Sequence, residues 1–215
     1  MNQELESTPP SSPQFLAARD NPLSMDWVTR LKYRFATENW PWHLERLKKL
    51  KFRAAVVGPQ GSGKTTLLYE LHDQLRDEGI PSHHVFVPND SRAGTRLLIQ
   101  AIEEFANQSV LLVDGMERLS LRQRWNLLRS TRRGPGLVVN LHQDCRFPER
   151  IPTWIRTRTC PELLANLLQD LGLDTPEIQS AGAIALEQSQ GNIRTALRVL
   201  YDQFASGRFN KILSR

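Results

Sequence analysis

The run Gly58-Pro59-Gln60-Gly61-Ser62-Gly63-Lys64-Thr65 fits the pattern Gly-x4-Gly-Lys-Ser/Thr at every fixed position. Gly58, Gly61 and Gly63 permit backbone angles that turn successive N–H groups toward one concavity. A helix beginning at Lys64 adds the partial positive charge of its first turn, and the Lys64 ammonium is a mobile point charge for β and γ phosphates. The Thr65 hydroxyl suits Mg²⁺. Thr66 stands where a dinucleotide-binding loop requires a third glycine, so residues 58 to 66 read as a phosphate site of the triphosphate kind. A bare glycine turn between strand and helix does not demand Lys and Thr together.

A magnesium-bound triphosphate also requires an acid at the end of a neighbouring strand. Ser109-Val110-Leu111-Leu112-Val113-Asp114 supplies it, because four apolar residues bury a strand and deliver the Asp114 carboxylate at its carboxyl end. The interval from Lys64 is roughly fifty residues, room for a helix, a strand and a second helix. An aspartate capping the next turn is the competing explanation. Glu117 can orient or deprotonate the water that attacks a γ phosphate, although a surface glutamate at a helix start looks the same in sequence. Asn140 is polar within the apolar run Val138-Val139-Asn140-Leu141-His142. It can position the water or the γ phosphate, with His142 as the substitute; a hydrogen-bonded core asparagine is the alternative.

These side chains need strands and helices to carry them. Phe52–Val57 reads as a buried strand, Thr65–Leu75 as a helix, His84–Val87 as a strand and Ser91–Phe105 as a helix. Val110–Val113 is the next strand, Leu119–Ser130 a helix, Gly136–Leu141 a strand and Ile155–Thr159 a fifth. Alternation at this pace predicts an α/β fold, a P-loop NTPase three-layer sandwich with a five-stranded parallel sheet. After Pro161 only helical patterns follow, at Glu162–Leu171, Pro176–Gln188 and Asn192–Ala205, so residues 161–208 read as a small all-helical lid. Residues 25–160 then hold a helical arm and the α/β core. The arm shows two stripes, Trp27, Leu31 and Phe35, then Leu44, Leu47 and Leu50, broken at Asn39-Trp40-Pro41-Trp42. Its tryptophan pair suits packing onto the core, or else a clamp on an adenine base. Residues 1–24, rich in Pro and Ser, read as a flexible tail.

The 215 residues include 28 Lys plus Arg, 23 Asp plus Glu and 40% hydrophobic residues, enough for one sizeable core with a small annex. A mean hydropathy of −0.44 and the lack of an apolar run near ~20 residues argue against a membrane span. Cys145 and Cys160 have no paired metal or redox spacing, the histidines have no zinc-ligand spacing, and the start of the chain lacks a secretory pattern. A reducing cytoplasm is the expected compartment. Every basic residue from 121 to 158 is an arginine, against only Asp144 and Glu149, and residues 27 to 53 are also basic. Such tracts suit DNA or an acidic partner, and they also suit solvated helix faces.

Taken together, the residues resemble the AAA+ ATPases over roughly 45 to 206, especially the compact branch with origin-recognition, clamp-loader and transposition ATPases. The resemblance implies a five-stranded core with a helical lid, ATP and Mg²⁺ as ligands, and a homo-oligomer or protein partner sharing the site. By it, residues 58–65 match Walker A, Asp114 the Walker B aspartate and Asn140 sensor 1. Gly191-Asn192-Ile193-Arg194 looks like sensor 2, with Arg194 as the arginine that touches the γ phosphate. Ile155-Arg156-Thr157-Arg158 resembles the clamp-loader Ser-Arg motif, which makes Arg158 the finger candidate and Arg156 a weaker one. Gly115 occupies the place of the family's second acid, and Asp114-Gly115-Met116-Glu117 looks more like the related STAND and NACHT group.

The expected function is therefore that of a Mg²⁺-dependent ATPase coupling nucleotide state to oligomerisation or to a partner. ATP is favoured over GTP because Asn210-Lys211 is followed by Ile212 and Leu213 and not by the Asn-Lys-x-Asp of guanine recognition. A P-loop small-molecule or nucleotide kinase is one alternative, and a nucleotide-gated binding switch with little hydrolysis is another.

Overall fold

The apolar runs form strands because helices cover both of their faces, which lets a strand be hydrophobic throughout. The computed structural model describes residues 21–24, 31–35, 38–89, 91–105, 107–144 and 151–209. Two compact units divide the chain, Lys32–Thr159 and the combination of Met1–Leu31 with Cys160–Arg215. In the first, β1 (Arg53–Val57), β2 (Ser82–Phe86), β3 (Val110–Asp114), β4 (Gly136–Leu141) and β5 (Thr153–Arg156) form one sheet in the order β2-β3-β4-β1-β5. Every pairing is parallel. Its helices are α1 (Trp40–Lys49), α2 (Lys64–Asp77), α3 (Ser91–Phe105) and α4 (Leu121–Ser130).

The two-residue period of the strands sorts the core into two layers. Ala55, Val57, Leu111, Val113, Leu137 and Val139 pack with Leu98 of α3 and Leu127 and Leu128 of α4. Ala54, Val56, Val110, Leu112 and Val138 pack instead with Leu67, Leu68, Leu71 and Leu75 of α2. Helices on both sides of one sheet make the three layers. Register brings Val56 opposite Asn140 and Val113 opposite Val139, so β1, β4 and β3 end at one level.

Besides shifts of one or two residues at other element ends, three departures from expectation stand out. The fifth strand runs Thr153–Arg156, earlier than the expected 155 to 159, because Thr157 turns toward the glycine loop and its N–H donates to the Val57 carbonyl at 2.8 Å. Among the described residues, the helical arm forms from Trp40. Residues 31–35 have no regular secondary structure, since Tyr33 and Phe35 are pinned sideways against the core. Phe35 stacks on His43 at 4.0 Å and meets Trp40 edge-on at 5.0 Å; Trp27 lies outside the described residues. α1 starts where Asn39 accepts the Trp42 N–H at 3.2 Å, with Pro41 in its first turn. The third difference is at the end of the expected tail. Asn21 and Leu23 are buried, and the Asn21 amide donates to the Tyr201 carbonyl at 3.0 Å. Residues 1–20 lie outside the described residues.

The second unit holds α5 (Pro161–Asp170), α6 (Pro176–Gln188) and α7 (Ile193–Ala205) around a separate core of Leu164, Leu168, Ile178, Ala185, Leu200 and Phe204. Among the described residues, no helix is long and apolar enough to cross a membrane.

Candidate functional site

The glycine loop joins β1 to α2, and each of its glycines answers a different constraint. Gly61 and Gly63 have φ of 78° and 81°, left-handed values that a side chain would strain. Gly58 is required by proximity: a Cβ there would meet the Thr157 hydroxyl at 2.0 Å and its carbonyl oxygen at 2.6 Å. Gly63 also faces the Tyr33 ring, which a Cβ would approach to 3.2 Å. Pro59 and Gln60 are exposed at the tip of the loop.

Buried hydrogen bonds hold this shape. Ser62 Oγ donates to the Pro59 carbonyl at 2.8 Å and lies 2.5 Å from Thr157 Oγ1. Lys64, only 7% exposed, donates from Nζ to the carbonyls of Gly58 at 2.8 Å and Pro59 at 2.7 Å. The ammonium is thus held against the loop. Gly63 caps α2 without any side-chain hydrogen bond. The first N–H groups of α2, at Lys64, Thr65 and Thr66, therefore have no side chain of the cap residue to satisfy them. That leaves a helix start suited to an anion.

On the same end of the sheet, Asp114 is 4% exposed at the end of β3. Asn140 grips it from β4, donating from Nδ2 to Asp114 Oδ1 while its Oδ1 accepts the Gly115 N–H at 2.6 Å. Asp114 Oδ2 is buried and has no hydrogen-bond partner. A buried carboxylate oxygen so placed is costly alone and fits a hard divalent cation. Gly115 has φ of 94°, and a Cβ would come within 3.0 Å of the Val87 carbonyl. The chain must therefore pass from Asp114 through a glycine into the 3₁₀ turn Met116–Arg118. This delays the second acid to Glu117.

Glu117 Oε1 lies 3.2 Å from His142 Nε2, while its Oε2 is buried without a partner. Arg124 braces the turn by donating to the Glu117 carbonyl at 2.8 Å. The structure thus brings Lys64, Asp114, Glu117, Asn140 and His142 to the carboxyl ends of adjoining strands. Arg158 is exposed after β5; Arg156 is engaged with Asp144 at 2.8 and 2.9 Å. Arg194 is exposed in the first turn of α7, within the helical unit.

Two participants escaped the sequence reading. Thr157 seemed only a substitute for the serine of a Ser-Arg motif, and is instead the wall against Gly58 and Ser62. Tyr33 seemed unremarkable, yet its ring lies on Gly63 and its N–H donates to the Glu70 carboxylate, which also accepts Trp40 Nε1 at 3.3 Å. Burial, then the nearby Glu70 charge, push the Tyr33 hydroxyl up to about 12, so it stays neutral. Burial likewise holds the Glu70 carboxyl above its usual range. Trp40 packs into the core, and Trp42 is half exposed under the Arg46 guanidinium. Tyr33 is thus an aromatic ring packed against the loop.

No protein-family model matches the chain, and no curated protein matches it by sequence. Solved structures do match its fold. AMPPCP-bound DnaA from Aquifex aeolicus is 13% identical with a TM-score of 0.54, over 85% of this chain and 68% of that one. A DNA replication initiation factor is 13% identical with a TM-score of 0.51, over 80% of this chain. This chain spans 62% of that protein's length. The sheet, its helical layers and these likenesses show an α/β fold similar to that of AAA+ ATPases.

Proposed function

We propose that the chain binds ATP with Mg²⁺ at the glycine loop, hydrolyses it, and couples nucleotide state to self-assembly or to a partner, with DNA a candidate through the basic tracts. The observation that carries this reading is the uncapped, lysine-bearing helix start on the same sheet end as a buried carboxylate with one unpartnered oxygen. Residues 58–66 would hold the phosphates, and Thr65 and Asp114 would hold Mg²⁺. The cation would supply positive charge beside the phosphate oxygens. Glu117 orients the attacking water, and His142 steadies its carboxylate. Asn140 sets the direction of Asp114, and the Tyr33 ring offers a stacking face for the base. Arg194 and Arg158 are proposed as the γ-phosphate arginine and the finger.

Two observations favour slow turnover: Glu117 is engaged by His142, and Gly115 and Met116 separate it from Asp114. The switch reading therefore remains the second one. Titration with a fluorescent ATP analogue tests the first. Lys64→Ala is expected to lose about a hundred-fold in affinity, and Asp114→Asn to lose the Mg²⁺ dependence of binding. Unaltered binding by Lys64→Ala overturns the site. Glu117→Gln should lower phosphate release while leaving binding intact, and a wild-type rate already at background selects the switch.

A further inference from the structure

The opposite end of the sheet carries a surface that the ATP site does not use. A cleft there is lined by Asn107, Trp125, Leu128, Arg129, Arg132 and Arg133. Asn107 precedes β3, and Arg132 and Arg133 lie in the 3₁₀ turn before β4, so the cleft sits at the amino ends of these strands. The glycine loop and Asp114 lie at the carboxyl ends, a strand length of about 16 Å away.

Three features point to a ligand. The Trp125 indole is 47% exposed, and the Arg129 guanidinium lies over its ring at 5.2 Å. Among the described residues, none of Arg129, Arg132 and Arg133 has an ion pair with an acid. Nor are these arginines needed to satisfy the end of α4. Arg53 already donates to the Leu128 carbonyl at 3.0 Å, and Thr131 Oγ1 donates to the Leu127 carbonyl at 2.7 Å. Exposed, unneutralised arginines around an aromatic ring therefore have no structural task in this unit.

We propose that this cleft binds single-stranded nucleic acid, one base stacking on Trp125 and Arg129, Arg132 and Arg133 meeting successive phosphates. A duplex offers backbone charge and hides its base faces, whereas a single strand supplies both things the surface can receive. Asn107, also on the cleft wall, adds an amide that can hydrogen-bond a base edge. This inference is independent of the ATP site.

Fluorescence anisotropy of the full chain with a labelled short oligothymidine, across a salt series, tests it. Trp125→Ala is expected to weaken binding roughly ten- to hundred-fold with the salt slope unchanged, and Trp125→Phe to keep most of it. Changing Arg129, Arg132 and Arg133 together to Gln should reduce the log–log salt slope by about 2. Both variants should keep the parent's circular dichroism and urea midpoint, which confirms their folding. No binding of the oligothymidine by the parent, or binding that these variants leave intact, overturns the proposal. Competition by a duplex, by polyglutamate or by anionic vesicles at least as effective as unlabelled oligothymidine overturns it as well, in favour of that class of partner.

Discussion

Lys64 and Arg194 both stand in the first turn of a helix, where a cation opposes the helix dipole, yet the two helix starts are built differently. α7 is closed by its own sequence: Asn192 accepts the Thr195 N–H at 3.2 Å, and Arg194 points to solvent. α2 begins at a left-handed glycine with no side-chain cap, and its lysine is buried against loop carbonyls. A start that satisfies its own N–H groups can form anywhere a helix packs. One whose cap residue has no side chain depends on neighbours, here Thr157, Tyr33 and Ser62, to keep its shape.

That dependence sets the scale of the expected effects. Gly58→Ala should destabilise the α/β unit by about 3 kcal/mol, because the new methyl meets a carbonyl oxygen and a β-branched side chain that cannot yield. Gly182→Ala on α6 meets only Leu168 Cδ1 at 2.8 Å, and the gain in helix propensity should hold the net change within about 1 kcal/mol. Urea titration of both variants checks the contrast, and equal losses would remove it. A smaller difference separates the two asparagines. Asn140→Ala leaves the Gly115 N–H and Asp114 Oδ1 without their partner and should cost about 2 kcal/mol, against about 1 kcal/mol for the loss of the Asn192 cap.

The mildest effect is one of pH. Burial lowers the pKa of His43, His83 and His84, all in the α/β unit; residues 160–209 contain no histidine. The folded state therefore binds fewer protons than the unfolded one, so stability is full above the ordinary value of 6.5 and falls below it, levelling off past the lower folded values. Tryptophan fluorescence should report easier urea unfolding at about pH 5.5 than at about pH 7.5. Substituting His84 by Gln should flatten that difference, and an unchanged difference would remove His84 from the account.

Much of the site was legible. The spacing of Gly58, Gly61, Gly63 and Lys64, and the apolar run ending in Asp114, announce their geometry because each lies within one turn or one strand. The polar Asn140 was visible as an anomaly, but its clamp on both Asp114 and Gly115 was not, since the bonds cross from one strand to the next. The helical spacing of Leu31 and Phe35 misled for a related reason. It was real, while the Phe35 ring was taken up by His43, Trp40 and the core in place of a helix face.

Local chemistry was thus set by the chain's own order: which loop can receive phosphate, which strand delivers an acid and which helices carry an apolar stripe, all governed by covalent geometry over a few residues. Only the tertiary structure decided that Thr157 walls the loop ninety-five residues before it, that Tyr33 lies on Gly63, that Asp114 keeps an unpartnered oxygen, and that Trp125 and three arginines line one cleft at the other end of the sheet. Those contacts arise from strand order and register, which bring distant residues together and have no signature in the spacing of either partner.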